Sequence, residues 1–166
     1  MLIRKLTVED GEALWTLRLR ALKDNPEAFA STYEETLRNG KEYFMQRNRP
    51  KEDAFYLGAF ESCLVGIVYF RRDEGSKNKH KGRILGMYVQ PESRGLGVGK
   101  ALLQEVITQA NSLSGLEQLH LMVVTTNDAS RSLYRSMGFK VYGTLLEAMK
   151  VDERYWDEEL MVLRLQ

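Results

Sequence analysis

Three glycines at alternate positions, Gly95, Gly97 and Gly99, stand between an apolar run that ends at Pro91 and a strongly periodic segment beginning at Val98. A turn of this kind, following a strand and opening a helix, presents consecutive backbone N–H groups at the positive end of the helix dipole, where a phosphate or pyrophosphate can sit. Glycine suits it because a Cβ would block close approach and because such turns often use positive φ. On the glycines alone, a plain strand-to-helix turn is an equal reading. Three phosphate loops can be tested against the residues. A P-loop requires glycine five residues before Gly99 and Ser or Thr after Lys100, but Arg94 and Ala101 stand there. A dinucleotide fingerprint starting at Gly95 requires glycine or alanine where Lys100 stands. A kinase glycine loop joins two strands, whereas this segment opens a helix.

The surrounding chain alternates strand and helix patterns. "LIRKL" reads as a first strand, and Thr7 can cap a helix running to about Lys23 with Leu14, Leu17, Ala21 and Leu22 near a 3.6-residue period. Asp24, Asn25 and Pro26 stop it. Residues 27–48 predict one or two short helices. "DAFYLGAF" and "LVGIVYFRR" form an antiparallel hairpin pattern, and "RILGMYV" is a further strand. Val98, Leu102, Val106 and Ala110 make the clearest helical stripe. "LEQLHLMVV" is a strand with Leu119, Leu121 and Val123 on one face and His120, Met122 and Val124 on the other. A short helix follows, with Asn127 or Asp128 suited to its N-cap and Gly138 to its C′ position. Two more strands are expected around Phe139 to Tyr142 and Leu160 to Leu165. No repeat or linker is visible, so the expectation is one mixed α/β domain over residues 1–166.

Composition narrows the function. In 166 residues, 43% are apolar and 28% charged, with a net charge of +1, which gives no electrostatic footprint for nucleic acid or a membrane surface. Any phosphate recognition must be local. Cys63 is the single cysteine, and no Cys/His cluster marks a metal. No run approaches a membrane span and the N-terminus turns polar too early for a signal peptide, so a cytoplasmic protein is expected.

The string "VQPESRGLGVGKALL" resembles the acetyl-CoA-binding motif of the GCN5-related N-acetyltransferase (GNAT) superfamily: Arg or Gln, two residues, Gly, one residue, then Gly or Ala. Arg94, Gly97 and Gly99 fit it. A second family element, an Asn after a strand and then a helix ending Leu-Tyr, three residues, Gly-Phe, is matched by Asn127, Leu133, Tyr134, Gly138 and Phe139. The close resemblance runs from about Arg83 to Val141. It implies the acyl-CoA N-acyltransferase fold: a central, mostly antiparallel twisted sheet with one splayed parallel strand pair and helices on both faces. It further implies that backbone around Met87, Tyr88 and Val89 holds the pantetheine arm of acetyl-CoA in the manner of an added strand. The N–H groups of Gly95, Leu96, Gly97, Val98, Gly99 and Lys100 would then hold the pyrophosphate, with Arg94 at the entrance and Asn127 and Ser130 on the pantetheine side. Tyr134 would be the general acid for the departing thiolate, since a phenol is protonated at neutral pH. Taken without the resemblance, Tyr134 reads as core, Asn127 as a helix cap and Arg94 as a surface side chain.

The acceptor amine must lose a proton before it can attack. Several relatives that acetylate protein N-termini carry a Glu five residues before the Asn, and Met122 stands there. His120, on the same face roughly 7 Å along the strand, reads as a packed histidine. Glu34 and Glu35 in "STYEE" and His80 before the fourth strand are the remaining base candidates. Phe29, Tyr33, Tyr43, Phe44, Tyr155 and Trp156 are expected as apolar walls of an acceptor pocket, and the acidic stretch "VDERYWDEELMV" as a lure for a cationic amine. The expected function is acetyl transfer to a small primary amine or amino acid, without a metal, nucleic acid or membrane. The rival readings are a protein N-terminal acetyltransferase, a catalytically silent CoA-binding module, which has no need of the Tyr134 phenol, and a nucleotide-dependent enzyme. Family members are often homodimers, but no segment of the sequence marks an interface.

Overall fold

The computed structural model describes residues 1–166. Seven strands form one sheet: β1 (Leu2–Lys5), β2 (Ala54–Phe60), β3 (Leu64–Arg72), β4 (Lys81–Val89), β5 (Gln118–Val124), β6 (Lys140–Val151) and β7 (Arg154–Arg164). Their spatial order is β1-β2-β3-β4-β5-β7-β6. Neighbours are antiparallel except β4 and β5, which run parallel. The helices are α1 (Gly11–Asp24), α2 (Tyr33–Arg47), α3 (Val98–Asn111) and α4 (Asp128–Ser136). This is the expected mixed architecture with its single parallel pair.

Both faces of the sheet are covered, which is why β2 and β3 read as near-continuous apolar runs. Leu14, Leu17, Ala21 and Leu22 of α1 pack with Tyr56, Ile67 and Tyr88 on one face. Leu102, Leu103, Val106 and Ala110 of α3 pack with Phe55, Val68, Phe70 and Leu119 on the other. Each of these α3 side chains is fully buried, worth about 1.5–3 kcal/mol for a side chain the size of Val or Leu.

Helix ends follow local chemistry. A tight turn at Val8–Asp10 precedes α1, where the Thr7 N–H donates to Asp10 Oδ2 at 2.8 Å and the Arg4 guanidinium makes a two-pronged pair with the same carboxylate at 2.7 and 2.8 Å. Thr32 opens α2: its Oγ1 accepts from the Glu35 N–H at 3.1 Å while Glu35 Oε2 accepts from the Thr32 N–H at 3.3 Å. α2 is interrupted at Gly40, whose φ of 84° and ψ of 161° leave two short helices in succession.

The last hairpin differs from expectation. In place of short strands near Phe139 to Tyr142 and Leu160 to Leu165, β6 has 12 residues and β7 has 11. β6 is the sheet edge and mostly exposed, so its stability does not demand apolar alternation, and the charged run in β7 masks a strand whose Glu159 is nevertheless buried.

Candidate functional site

Parallel pairing of β4 with β5 is confined to one end, where Lys81, Gly82 and Arg83 face Gln118, Leu119 and His120. Beyond it the strands separate. The cause lies in β4: Ile67 and Tyr69 of β3 face Tyr88 and Leu85, so Val68 opposes two residues, Gly86 and Met87, in a β-bulge. Gly86 has φ of +58°, a conformation that costs an L-residue roughly 1–2 kcal/mol. The bulge bends β4 away and β5 continues along β7 instead.

The separation exposes a backbone edge. Gln90 N–H donates to Val65 O at 3.0 Å on the β3 side, so strand alternation turns the amides of Met87 and Val89 toward the gap. Arg94, which leads into the glycine turn, fixes this end of the strand: its Nε donates to Val89 O at 2.8 Å and its Nη2 to Asn25 Oδ1 at 3.1 Å. One acceptor site of the Val89 carbonyl is thereby occupied by the chain itself. Tyr88, by contrast, is buried on the α1 face with its hydroxyl on Asp24. Its amide points to β3, which leaves Met87 and Val89 as the gap-facing positions.

The gap ends at the N-terminus of α3. Gly95 and Gly97 have φ of +77° and +82°, Gly97 occupies the N-cap, and no side chain caps the helix. Ala101 N–H makes the first bond back to Gly97 O, at 3.0 Å. The N–H groups of Val98, Gly99 and Lys100 therefore precede the first intrahelical bond, at the end carrying about half a positive charge. Leu96 and Lys100 are exposed, whereas the Val98 side chain is in the core, so Val98 can offer a ligand only its amide.

A cavity of about 470 Å³ fills the gap on the α1–α2 side. Ile84 to Met87 line one wall and Leu121 to Val124 the other, with Asn127, Ser130 and Tyr134 of the α4 region at its base. Asn127 serves its capping role, accepting from the Ser130 N–H at 3.1 Å, and still lines the cavity. The Tyr134 side chain is nearly inaccessible, yet its hydroxyl reaches the cavity beside Met87, donating to Sδ at 3.5 Å. Burial pushes its pKa up to about 12, so it is a proton donor throughout the physiological range. α4 is held on the sheet by Glu159 of β7, which pairs with Arg131 at 2.7 Å and Arg135 at 3.1 Å.

The three base candidates do not gather here. Glu35 is spent on the α2 cap, and neither it nor Glu34 lines the cavity. His80 lies just before β4 at the closed end of the strand pair, where its carbonyl accepts from the Glu117 and Gln118 N–H groups at 2.7 and 3.1 Å. Seven residues from Met87, it is on the order of 20 Å away along an extended strand. His120 is bonded to Gln118 and Tyr142, and Met122 is indeed in the wall. Of the aromatic candidates, Phe29, Tyr43 and Phe44 line the cavity, while Tyr33, Tyr155 and Trp156 do not.

The carboxylate that does line it is Glu158 of β7, opposite Val124. Desolvation raises its pKa above the ordinary glutamate value, which makes the carboxylate a stronger proton acceptor than an exposed one. Glu158 and Glu159 project to opposite faces of the strand. The acidic stretch was visible in sequence, but which of two adjacent glutamates enters the site depends on register. Sequence reasoning also passed over Arg18 of α1, another lining residue. It sits four residues after Leu14 and four before Leu22, within the apolar stripe, and that misplaced cation was the available signal.

Comparison with known proteins bears on the family and the fold. A family model described as the acetyltransferase (GNAT) family matches residues 16–139. A mycothiol acetyltransferase of Thermobispora bispora is 32% identical over 143 residues, covering 82% of this chain and 46% of that protein. The chain thus spans about half the length of this curated relative. The crystal structure of a ribosomal-protein-alanine N-acetyltransferase from Brucella melitensis superposes with a TM-score of 0.84 at 28% identity, covering 99% of this chain and 100% of the other. A phosphinothricin acetyltransferase from Sinorhizobium meliloti, solved in complex with acetyl-CoA, shares the fold with a TM-score of 0.85 at 19% identity, covering 99% and 88%. No helix is long and apolar enough to cross a membrane.

Proposed function

Because the chain belongs to the acetyltransferase (GNAT) family, we propose that its 166 residues act as one catalytic unit that transfers the acetyl group of acetyl-CoA to a small primary amine in a ternary complex. One observation carries this reading: the unpaired edge of β4 leads from the cavity that Tyr134 lines to the uncapped N-terminus of α3, where a Cβ on Gly99 would lie 3.3 Å from the Met87 side chain. The residues fit the co-substrate. The Met87 and Val89 amides offer a strand-like ladder for pantetheine, and the amides from Gly95 to Lys100 offer donors for pyrophosphate. Asn127 and Ser130 flank the path.

When bound, acetyl-CoA supplies an activated acyl carbon and a sulfur leaving group. Glu158 takes the proton that an alkylammonium must lose to expose its lone pair. As the nitrogen–carbon bond forms and the carbon–sulfur bond breaks, Tyr134 delivers its hydroxyl proton toward the sulfur. It recovers one from the proton the nitrogen sheds, so the net products are amide, thiol and one proton. Glu158 takes over the role first sought at Glu34, Glu35 and His80, and Met122 leaves β5 without a competing carboxylate.

Calorimetric titration with acetyl-CoA, alongside ATP and NAD, tests the reading. Saturable binding of acetyl-CoA alone, followed by amine-dependent thiol release, is the expected outcome. Preference for a nucleotide, or no acetyl-CoA binding at millimolar concentration, would refute it, and binding without turnover of any amine would favour a silent CoA-binding module.

A further inference from the structure

Arg18 is the odd residue of the cavity. It projects from α1 into the apolar side of the sheet, its guanidinium carbon lies 4.6 Å from the centre of the Phe29 ring, and its Nη1 is fully buried with no hydrogen-bond partner. None of the chain's ion pairs includes it. A buried, unpartnered guanidinium nitrogen is costly, since a buried charge is normally paired or hydrogen-bonded. Desolvation lowers the Arg18 pKa, but arginine keeps its proton in proteins. The apolar stripe of α1 thus carries a cation whose counter-ion the chain itself does not supply.

Its position indicates which one. A Cβ built on Gly86 would lie 3.6 Å from Arg18 Nη1, so the free nitrogen sits beside the β4 bulge where the strand pair begins to open. The charged residues lining the cavity are Arg18, Arg47 and Glu158, two guanidiniums to one carboxylate, and Arg47 is already engaged with the Tyr43 hydroxyl at 3.0 Å. Such a lining opposes a polyamine, whose several ammonium groups would meet more positive than negative charge. It suits a molecule with one cationic and one anionic group. Phe29, Phe44 and Tyr56 supply apolar wall for what lies between them.

We propose that the acceptor carries a carboxylate on the same molecule as its amine, that Arg18 binds this carboxylate, and that Glu158 receives the amine at the other end. The acceptor is thus of the amino-acid class, and Arg18 is its specificity-determining residue. The inference rests on the acetyltransferase reading above and adds the substrate class. A guanidinium fork matches a planar carboxylate, and the ring of Phe29 holds the fork in orientation.

The test uses matched pairs, each an L-amino acid and its carboxamide, with small, aliphatic and aromatic side chains, and the corresponding N-acetylated products and their amides. Thiol release is followed for the first set and calorimetric binding to CoA-saturated protein for the second, in the wild type and in Arg18→Met and Arg18→Lys. In the wild type at least one carboxylate should exceed its amide by about 10- to 100-fold in kcat/KM and in affinity, the range expected of a charge-assisted hydrogen bond. Arg18→Met should erase that preference, and Arg18→Lys should retain part of it. Acetyl-CoA affinity and thermal melts, read on each variant, separate loss of the acceptor site from loss of the fold. The proposal falls if acetyl-CoA binds but no carboxylate is preferred across the set, or if the preference survives Arg18→Met. It falls equally if Arg18→Met slows acids and amides alike, which would mean that the guanidinium acts on the reacting acyl group. Failure of acetyl-CoA itself to bind would instead refute the underlying acetyltransferase reading.

Discussion

The proton inventory of the cavity rests on two side chains whose pKa values burial moves in the same direction with different consequences. Tyr134, at about 12, stays protonated and can only donate near neutrality. Tyr134→Phe removes the donor while preserving the ring that packs against Phe139 at 6.0 Å. The expected result is a fall in kcat of about 100-fold with acetyl-CoA affinity within a few-fold of wild type, read by steady-state kinetics beside calorimetry. Glu158 must be ionised to accept a proton, so kcat/KM should rise with pH through its pKa. Desolvation raises that pKa, placing the acidic limb above the ordinary glutamate range. Glu158→Gln should lower kcat/KM by about 100-fold and remove this limb from the pH profile.

At the scale of elements, two termini matter. Gly97 caps α3 at φ of +82° with nothing within 4 Å of a hypothetical Cβ, so its requirement is conformational and not one of space. Gly97→Ala should destabilise the fold by about 1–2 kcal/mol, measurable by urea denaturation, and weaken acetyl-CoA binding because the strained turn carries the amides. The second terminus is that of α1, where Arg4 and the Thr7 amide hold the Asp10 carboxyl down to about 2. A depressed carboxylate pKa contributes stability that is complete above the unfolded value near 3.8 and disappears as pH falls toward 2. Asp10→Asn should therefore cost about 1 kcal/mol at pH 6, with its denaturation midpoint converging on that of the wild type as the pH is lowered from 4 to 2.

For the whole molecule, the order of strands and helices was legible because both faces of the sheet are buried and the helical stripes are clean, as with Leu102, Val106 and Ala110. The glycine turn and the Asn127 cap were legible because each depends on residue type at fixed local spacing, whereas Tyr134 read as core until the family resemblance singled it out. The acceptor side was legible only in part: Phe29, Tyr43 and Phe44 line the cavity as expected, but its charged groups were not found. Glu34 and Glu35 resembled active-site acids, but Glu35 is consumed by a local cap. His80 is close to the motif in sequence and at the wrong end of a strand. Glu158 could be told from Glu159 only through the register of β7 against β5, a contact between segments more than 30 residues apart. Arg18 reached the site by the packing of α1 across the sheet, and only its place in an apolar stripe betrayed it.

The bulge at Gly86 has a consequence for time as well as shape. It leaves the β4 and β5 halves of the sheet joined through the rungs at Lys81 to Arg83 and the clasp of the Glu117 and Gln118 amides on the His80 carbonyl. The amides of Met87 and Val89, inside a strand, lack the strand partner that protects their neighbours, and in the free protein they should exchange with deuterium orders of magnitude faster than those of β2 and β3. A pantetheine arm laid along β4 would serve as the missing rung, so exchange at these two amides would slow on binding and the two halves would begin to open as one. The co-substrate then acts as a removable piece of secondary structure, and how long it resides becomes a property of the sheet's own cooperativity.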